Sequence, residues 1–148
     1  AYRGFVADLQ RTWYLSDGGP VPSEVQAAWQ AVTQALEAGR KALRPGARGW
    51  EVDAVARETL LSAGYPEYMH AYGHQVGRSA HDGATILGPK WARYGRSVDG
   101  VVEAGNVFAI ELEVVVPDRG YVSREENVLI TQDGASYLSD PQEELWVI

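Results

Sequence analysis

The stretch that decides the fold of this chain is NVFAIELEVVVPDRGYVSREENVLIT, residues 106–131. Two strongly apolar runs, 106–116 and 121–131, flank the turn sequence Pro117-Asp118-Arg119-Gly120. Runs of this length, rich in Val and Ile and separated by Pro and Gly, are typical of strands joined by a turn. We therefore predict an antiparallel hairpin over these residues.

Helical periodicity appears on the N-terminal side of this hairpin. A first helix is predicted to begin at Ser23, a good N-cap, and to end before Pro45-Gly46. A second helix is predicted from about Trp50 to Ala63. Residues 4–15 alternate in polarity and predict a strand that precedes both helices. The order of a strand, two helices and a strand-rich region indicates an α+β fold.

Composition limits the classes of function. The chain has 148 residues, of which 45% are hydrophobic, and this suits one domain with an apolar core. Its 13 basic and 20 acidic residues give a net charge of −7, so nucleic acid and anionic membrane surfaces are poor partners. The chain has no cysteine, which excludes disulfides and thiolate metal sites, and it has no apolar run long enough to span a bilayer.

Three histidines lie close together in the sequence, at His70, His74 and His81. A single histidine is more often a structural or surface residue than part of a site. Three within a glycine-rich stretch between predicted elements favour a functional site. Gly73 flanks His74 and Gly77 follows it closely, which lets the backbone approach another group.

Acidic residues of the hairpin give a second signal. Glu111 interrupts an apolar strand, so its carboxylate must be paired, protonated or bound to a cation. Glu113 points in the same direction because side chains alternate along a strand. An antiparallel hairpin can bring Glu111 beside Glu125 or Glu126, although these two could instead face solvent at the start of their strand.

Asp8, in the predicted first strand, completes a set of candidate metal ligands. An aspartate in a strand is more often an edge or bulge residue. Together with His74 and the glutamates, it forms an oxygen-rich set with one imidazole, which suits Mn, Co, Fe or Zn. Three or more carboxylates are also what a site with two metal ions requires.

Short segments along almost the whole chain resemble the pita-bread metallopeptidases, which comprise methionine aminopeptidase, aminopeptidase P and prolidase, and whose fold creatinase shares. The similar segments are residues 4–12, 43–57, 70–82, 103–111 and 125–134. The resemblance implies two helices packed on a curved antiparallel sheet. His70 and the sequence after His81 favour the branch that cleaves Xaa-Pro bonds.

The resemblance also implies a site. It implies two divalent metal ions, Mn, Co or Zn, held by Asp8, His74, Glu111 and Glu125. The residues with catalytic roles would be His81, His70 and Glu111. In the family pattern, the residues matching Asp8 and Glu125 bridge the two ions, and the one matching His81 steadies the substrate carbonyl. Our hypothesis is that Glu111 takes a proton from the water that the metals activate and passes it to the leaving amine.

This chain departs from the family pattern at several positions. The family has a further aspartate ligand upstream of Asp8, so we expect residues 1–148 to be the C-terminal portion of the catalytic peptidase domain. The N-terminal domain and the first ligand strand would then lie outside this chain. Glu113 replaces a usually uncharged residue, which leaves the choice between Glu111 and Glu113 as ligand open, although the register favours Glu111. Ser123 stands where many aminopeptidase P sequences have an arginine.

The sequence thus predicts a metal-dependent aminopeptidase or dipeptidase that hydrolyses Xaa-Pro bonds in short peptides. The alternative is an inactive, peptide-binding relative or fragment of the same fold. A creatinase-like amidine hydrolase is a third reading, against which the carboxylate set argues. We expect a cytoplasmic protein, with neither nucleic acid nor membrane as partner, and a homodimer paired through an exposed sheet edge.

Overall fold

The computed structural model describes residues 3–148, which form two α-helices and two sheets. The helices are α1 (Ser23–Ala42) and α2 (Gly49–Ser62). The strands are β1 (Trp13–Tyr14), β2 (Gly73–Gln75), β3 (Ile86–Leu87), β4 (Val107–Val116), β5 (Gly120–Thr131), β6 (Gly134–Tyr137) and β7 (Trp146–Val147). Short 3₁₀ helices lie at Ala92–Tyr94 and Ser97–Asp99. The predicted α+β class is confirmed.

The main sheet has five antiparallel strands in the order β3-β2-β4-β5-β6. Its centre is the predicted hairpin of β4 and β5, whose ladder runs from Val107 opposite Leu129 to Val116 opposite Gly120. Asp118 in the turn has a φ of 60°, and Gly120 has a φ of 108°. Both values lie in the left-handed region that Asp and Gly tolerate in tight turns. The hairpin is therefore confirmed.

The helices cover one face of this sheet. Helix α1 packs on β4 and β5 and on α2, and its buried stripe includes Trp29, Val32 and Leu36. These side chains share a core with Phe108 and Ile110 of β4. Within residues 3–148 no helix is both long and apolar enough to cross a membrane.

The starts of both helices differ from the prediction. Ser23 is the first residue of α1 and not its cap, because the main-chain oxygen of Pro22 accepts the first hydrogen bonds. Helix α2 begins at Gly49, where the Glu51 carboxylate accepts a hydrogen bond of 2.9 Å from the Arg48 N–H. The Glu51 contact is a capping interaction that starts the helix one residue early.

The strand predicted over residues 4–15 is wrong. Only β1 is a regular strand there, and it pairs in parallel with β7 in a separate sheet of two strands. The preceding residues form single main-chain hydrogen bonds with distant partners instead. The Val6 N–H donates to the main-chain oxygen of Gly77 at 3.0 Å, and the Gln10 N–H donates to the main-chain oxygen of Glu125 at 3.3 Å. The segment contacts the main sheet through isolated hydrogen bonds and forms no ladder with it.

Candidate metal centre

The candidate centre lies on the face of the sheet opposite the helices. Side chains alternate along β4, so Phe108 and Ile110 enter the core while Glu111 faces the other way. In the register of the hairpin, Glu111 lies directly opposite Glu125. On the neighbouring strand β2, His74 lies opposite Ala109 and therefore points to the same face.

Glycine brings β2 close enough for His74 to reach this face. A Cβ atom at Gly73 would lie only 2.2 Å from the main-chain oxygen of Ala109 on β4. No side chain fits at that distance. The expected close approach of the backbone beside His74 is therefore present, and it serves strand pairing.

Asp8 reaches the centre from outside the sheet. The main-chain N–H of Asp8 donates to Oδ1 of Asn127 at 3.1 Å, and Nδ2 of Asn127 donates to the main-chain oxygen of Asp8 at 2.7 Å. Asn127 lies two residues after Glu125 on β5, so both side chains share one face. Sequence reasoning did not single out Asn127, whose only signal was a polar residue on the Glu125 face of an apolar strand.

Three of the predicted ligands converge. One ligand atom from each of Asp8, His74 and Glu125 lies within 4.8 Å of the others. Nε2 of His74 is 3.9 Å from Oδ2 of Asp8. Nδ1 of His74 lies 3.2 Å from the main-chain oxygen of Gln75. In the tautomer that carries its proton on Nδ1, this nitrogen donates to that oxygen, and Nε2 is left free as a metal ligand. Glu111, opposite Glu125, borders this group.

The carboxylates at this site repel one another and are partly removed from water. The pKa of Glu111 is raised to about 7, mainly by burial and further by the negative charges of Asp8 and Glu113. The pKa of Glu125 is raised to about 8, mainly by burial and further by the negative charges of Glu111 and Asp8. Burial lowers the pKa of His74, which favours the neutral imidazole that ligates metals. A divalent cation would relieve the crowding, so this donor set fits the metals that the sequence implied.

The two other histidines lie beside the centre. The ring of His81 meets the ring of His74 edge-on, with centroids 4.1 Å apart. His81 is exposed, so its imidazole remains accessible. His70 is also exposed, and its ring lies 5.5 Å from that of Tyr68. Neither histidine belongs to the group of converging ligand atoms.

A buried ion pair that sequence reasoning missed fixes the segment that carries His70. Arg57 and Asp53 of α2 are 8% and 1% exposed, and Nε of Arg57 lies 2.8 Å from Oδ2 of Asp53. The Arg57 guanidinium also donates to the main-chain oxygens of Tyr68 and His70, the latter at 2.8 Å. Oδ1 of Asp53 accepts from the Tyr72 N–H at 3.1 Å. The pair thus ties residues 68–72 to α2.

The chain is similar to known peptidases along almost its whole length. The sequence profile of metallopeptidase family M24 matches residues 1–132. The Xaa-Pro dipeptidase of Pyrococcus furiosus is 30% identical over 145 residues, which are 97% of this chain and 38% of that protein. The probable dipeptidase PepE of Mycobacterium tuberculosis is 32% identical over 146 residues, which are 98% of this chain and 36% of that protein. The chain spans about two fifths of the length of these relatives.

Solved structures show the same similarity. The dipeptidase PepE from Mycobacterium ulcerans superposes with a TM-score of 0.83 at 31% identity, over 99% of this chain and 37% of that one. The Xaa-Pro dipeptidase from Bacillus anthracis superposes with a TM-score of 0.85 at 26% identity, over 99% of this chain and 39% of that one. The expected pita-bread fold is therefore confirmed for the part of it that this chain spans.

Proposed function

This chain belongs to metallopeptidase family M24, and we propose that the protein hydrolyses Xaa-Pro bonds in short peptides with two divalent metal ions. The observation that carries the proposal is the convergence of Asp8, His74 and Glu125, with Glu111 directly opposite Glu125. Relatives of this chain bear the name Xaa-Pro dipeptidase, which supports the choice of substrate.

In this proposal the metal ligands are Asp8, His74, Glu111 and Glu125. The carboxylates and the neutral imidazole suit Mn, Co or Zn. We prefer Glu111 to Glu113 as the ligand, since Glu111 lies opposite Glu125 whereas Glu113 lies opposite Ser123. The side chain of Asn127 orients Asp8, and the main-chain oxygen of Gln75 orients the ring of His74.

The residues of the site have distinct roles in the reaction. The chemistry that divalent cations would supply, when bound, is to polarise the scissile carbonyl and to lower the pKa of a water molecule. Glu111 accepts the proton of the attacking water and passes it to the amine that leaves when the C–N bond breaks. His81, whose ring adjoins that of His74, donates a hydrogen bond to the oxygen on which negative charge develops. His70 is a second donor for the same oxygen.

The test is hydrolysis of Ala-Pro by the full-length protein with added Mn or Co, together with calorimetric titration of the metal. The variants Asp8→Asn and Glu125→Gln should lose both metal binding and turnover. Glu103→Gln is the matched control, because Glu103 is exposed and lies outside the site. Metal binding without turnover of any Xaa-Pro peptide would support the inactive relative. Unchanged metal binding in both ligand variants would overturn the site itself.

A further inference from the structure

A pocket with a volume of about 370 Å³ lies beside the candidate metal centre. It is enclosed by residues 66–70 on one side and by the outer part of the β4–β5 hairpin on the other. Tyr68, Val115 and Tyr121 are among the residues that line it. His70 and Glu113 also line it. Since Glu113 follows Glu111 on the same face of β4, the pocket opens next to the proposed ligands.

The charge of this pocket is negative. Glu113 and Glu67 both line it, and within residues 3–148 no lysine or arginine does. Glu67 is half exposed and lies 3.7 Å from the Arg57 guanidinium, so the negative charge of the pocket rests on Glu113. The residue opposite Glu113 in the hairpin is Ser123, which is uncharged. The next residue, Arg124, points to the other face of the sheet, is 2% exposed, and pairs with Glu126 at 3.4 Å.

Two further arginines contact the wall of the pocket without lining it. Arg57 and Arg93 donate hydrogen bonds to main-chain oxygens of residues 68–70. The guanidinium of Arg57 is paired with Asp53 at 2.8 Å and with Glu67 at 3.7 Å. Neither guanidinium is therefore placed to compensate Glu113, which lies half-buried on the opposite wall.

We propose that this pocket binds a positively charged group of the peptide substrate, an ammonium or guanidinium carried on an apolar stem, and disfavours a free carboxylate. This inference rests on the proposed function only in taking the ligand to be a peptide. The methylenes of such a group would pack against Val115 and the tyrosine rings while its charge pairs with Glu113. A carboxylate in the same position would face a like charge.

The positive group can come from two parts of a peptide, a basic side chain or the N-terminal ammonium. Four probes that cannot be cleaved as Xaa-Pro peptides separate these sources. Nα-acetyl-lysine amide carries only the side-chain cation, and norleucine amide carries only the α-ammonium. Nα-acetyl-norleucine amide is the neutral reference, and Nα-acetyl-norleucine carries only a carboxylate. Their affinities for the metal-loaded, full-length protein can be measured by calorimetry without turnover.

We expect at least one of the two cationic probes to bind about threefold to fivefold tighter than the neutral reference, as for a partly exposed ion pair. The carboxylate probe should bind more weakly than the reference. Glu113→Gln should remove the preference for the cation, and Glu113→Arg should transfer it to the carboxylate probe. Glu103→Gln, an exposed glutamate outside the pocket, should preserve the wild-type order.

Equal binding of the cationic and neutral probes, or a preference that persists in Glu113→Gln, would overturn this inference. The outcome is distinguishable from failure of the proposed function. A protein that hydrolyses Ala-Pro but binds all four probes alike is a peptidase without this pocket specificity. A protein that cleaves no Xaa-Pro peptide but shows the Glu113-dependent preference has the pocket and lacks the proposed reaction.

Discussion

Asn127 holds the main chain of Asp8 through a donated and an accepted hydrogen bond, of 2.7 Å and 3.1 Å respectively. Asp8 belongs to a segment without a regular strand, so the ladder that fixes Glu111 and Glu125 does not fix Asp8. The side chain of Asn127 therefore fixes the position of Asp8, whereas strand pairing fixes the positions of Glu111 and Glu125.

Asn127→Ala should weaken metal binding by about tenfold or more, since groups that orient metal ligands typically contribute this much. The alanine leaves both main-chain groups of Asp8 without their partner. The measurement is a calorimetric titration with Mn. Asn106→Ala is the matched control, because Asn106 also accepts a main-chain hydrogen bond, 3.0 Å from the Glu103 N–H, but outside the site. Equal metal affinities of the two variants would contradict a role for Asn127 in orienting Asp8.

Arg57→Ala should reduce the free energy of unfolding by about 3–5 kcal/mol, because it leaves the buried charge of Asp53 without its partner. Denaturant unfolding measures this change. Arg119→Ala is the control: its ion pair with Glu24 is about half exposed on both sides, so its loss should change the free energy of unfolding far less. The prediction fails if both variants are equally stable.

His81→Ala should lower kcat by about 10²–10³ while leaving the affinity for Mn unchanged, because its ring adjoins His74 without joining the ligand group. His74→Ala is the comparison, since it removes a ligand atom and should abolish metal binding as well. Activity assays with Ala-Pro and metal titrations separate these effects. A parallel loss of metal binding in His81→Ala would show that His81 supports the centre and not the reaction.

The hairpin and its pair of glutamates were predictable because their signals are local. A turn between two apolar runs sets the register, and a period of two then places Glu111 and Glu113 on one face. The sequence left Glu125 and Glu126 as alternatives beside Glu111, and the observed register places Glu125 opposite it. A central strand pair of this length leaves few alternatives for its side chains.

The surroundings of the site were not predictable, because their partners are distant along the chain. Asp8 is held by Asn127, and Val6 by Gly77, and no periodicity in residues 4–15 signals such contacts. Asp53 and Arg57 have the spacing of an ordinary surface pair on a helix. Only the packing of residues 68–72 against α2 buries them.

Acid should reveal the contribution of Glu37 to stability. Burial alone would raise the pKa of Glu37, but hydrogen bonds from Arg40 and Tyr137 outweigh it, so the pKa lies below its ordinary value of 4.5. A carboxyl whose pKa is lowered by folding stabilises the protein above its unfolded pKa, and this stabilisation is lost as the pH falls through the folded pKa. Glu37→Gln should therefore be less stable than wild type at neutral pH, by no more than about 1 kcal/mol, and the difference should shrink in acid. Urea unfolding at pH about 7 and about 3 measures it, with the exposed Glu58→Gln as control, and a difference that does not depend on pH would contradict the prediction.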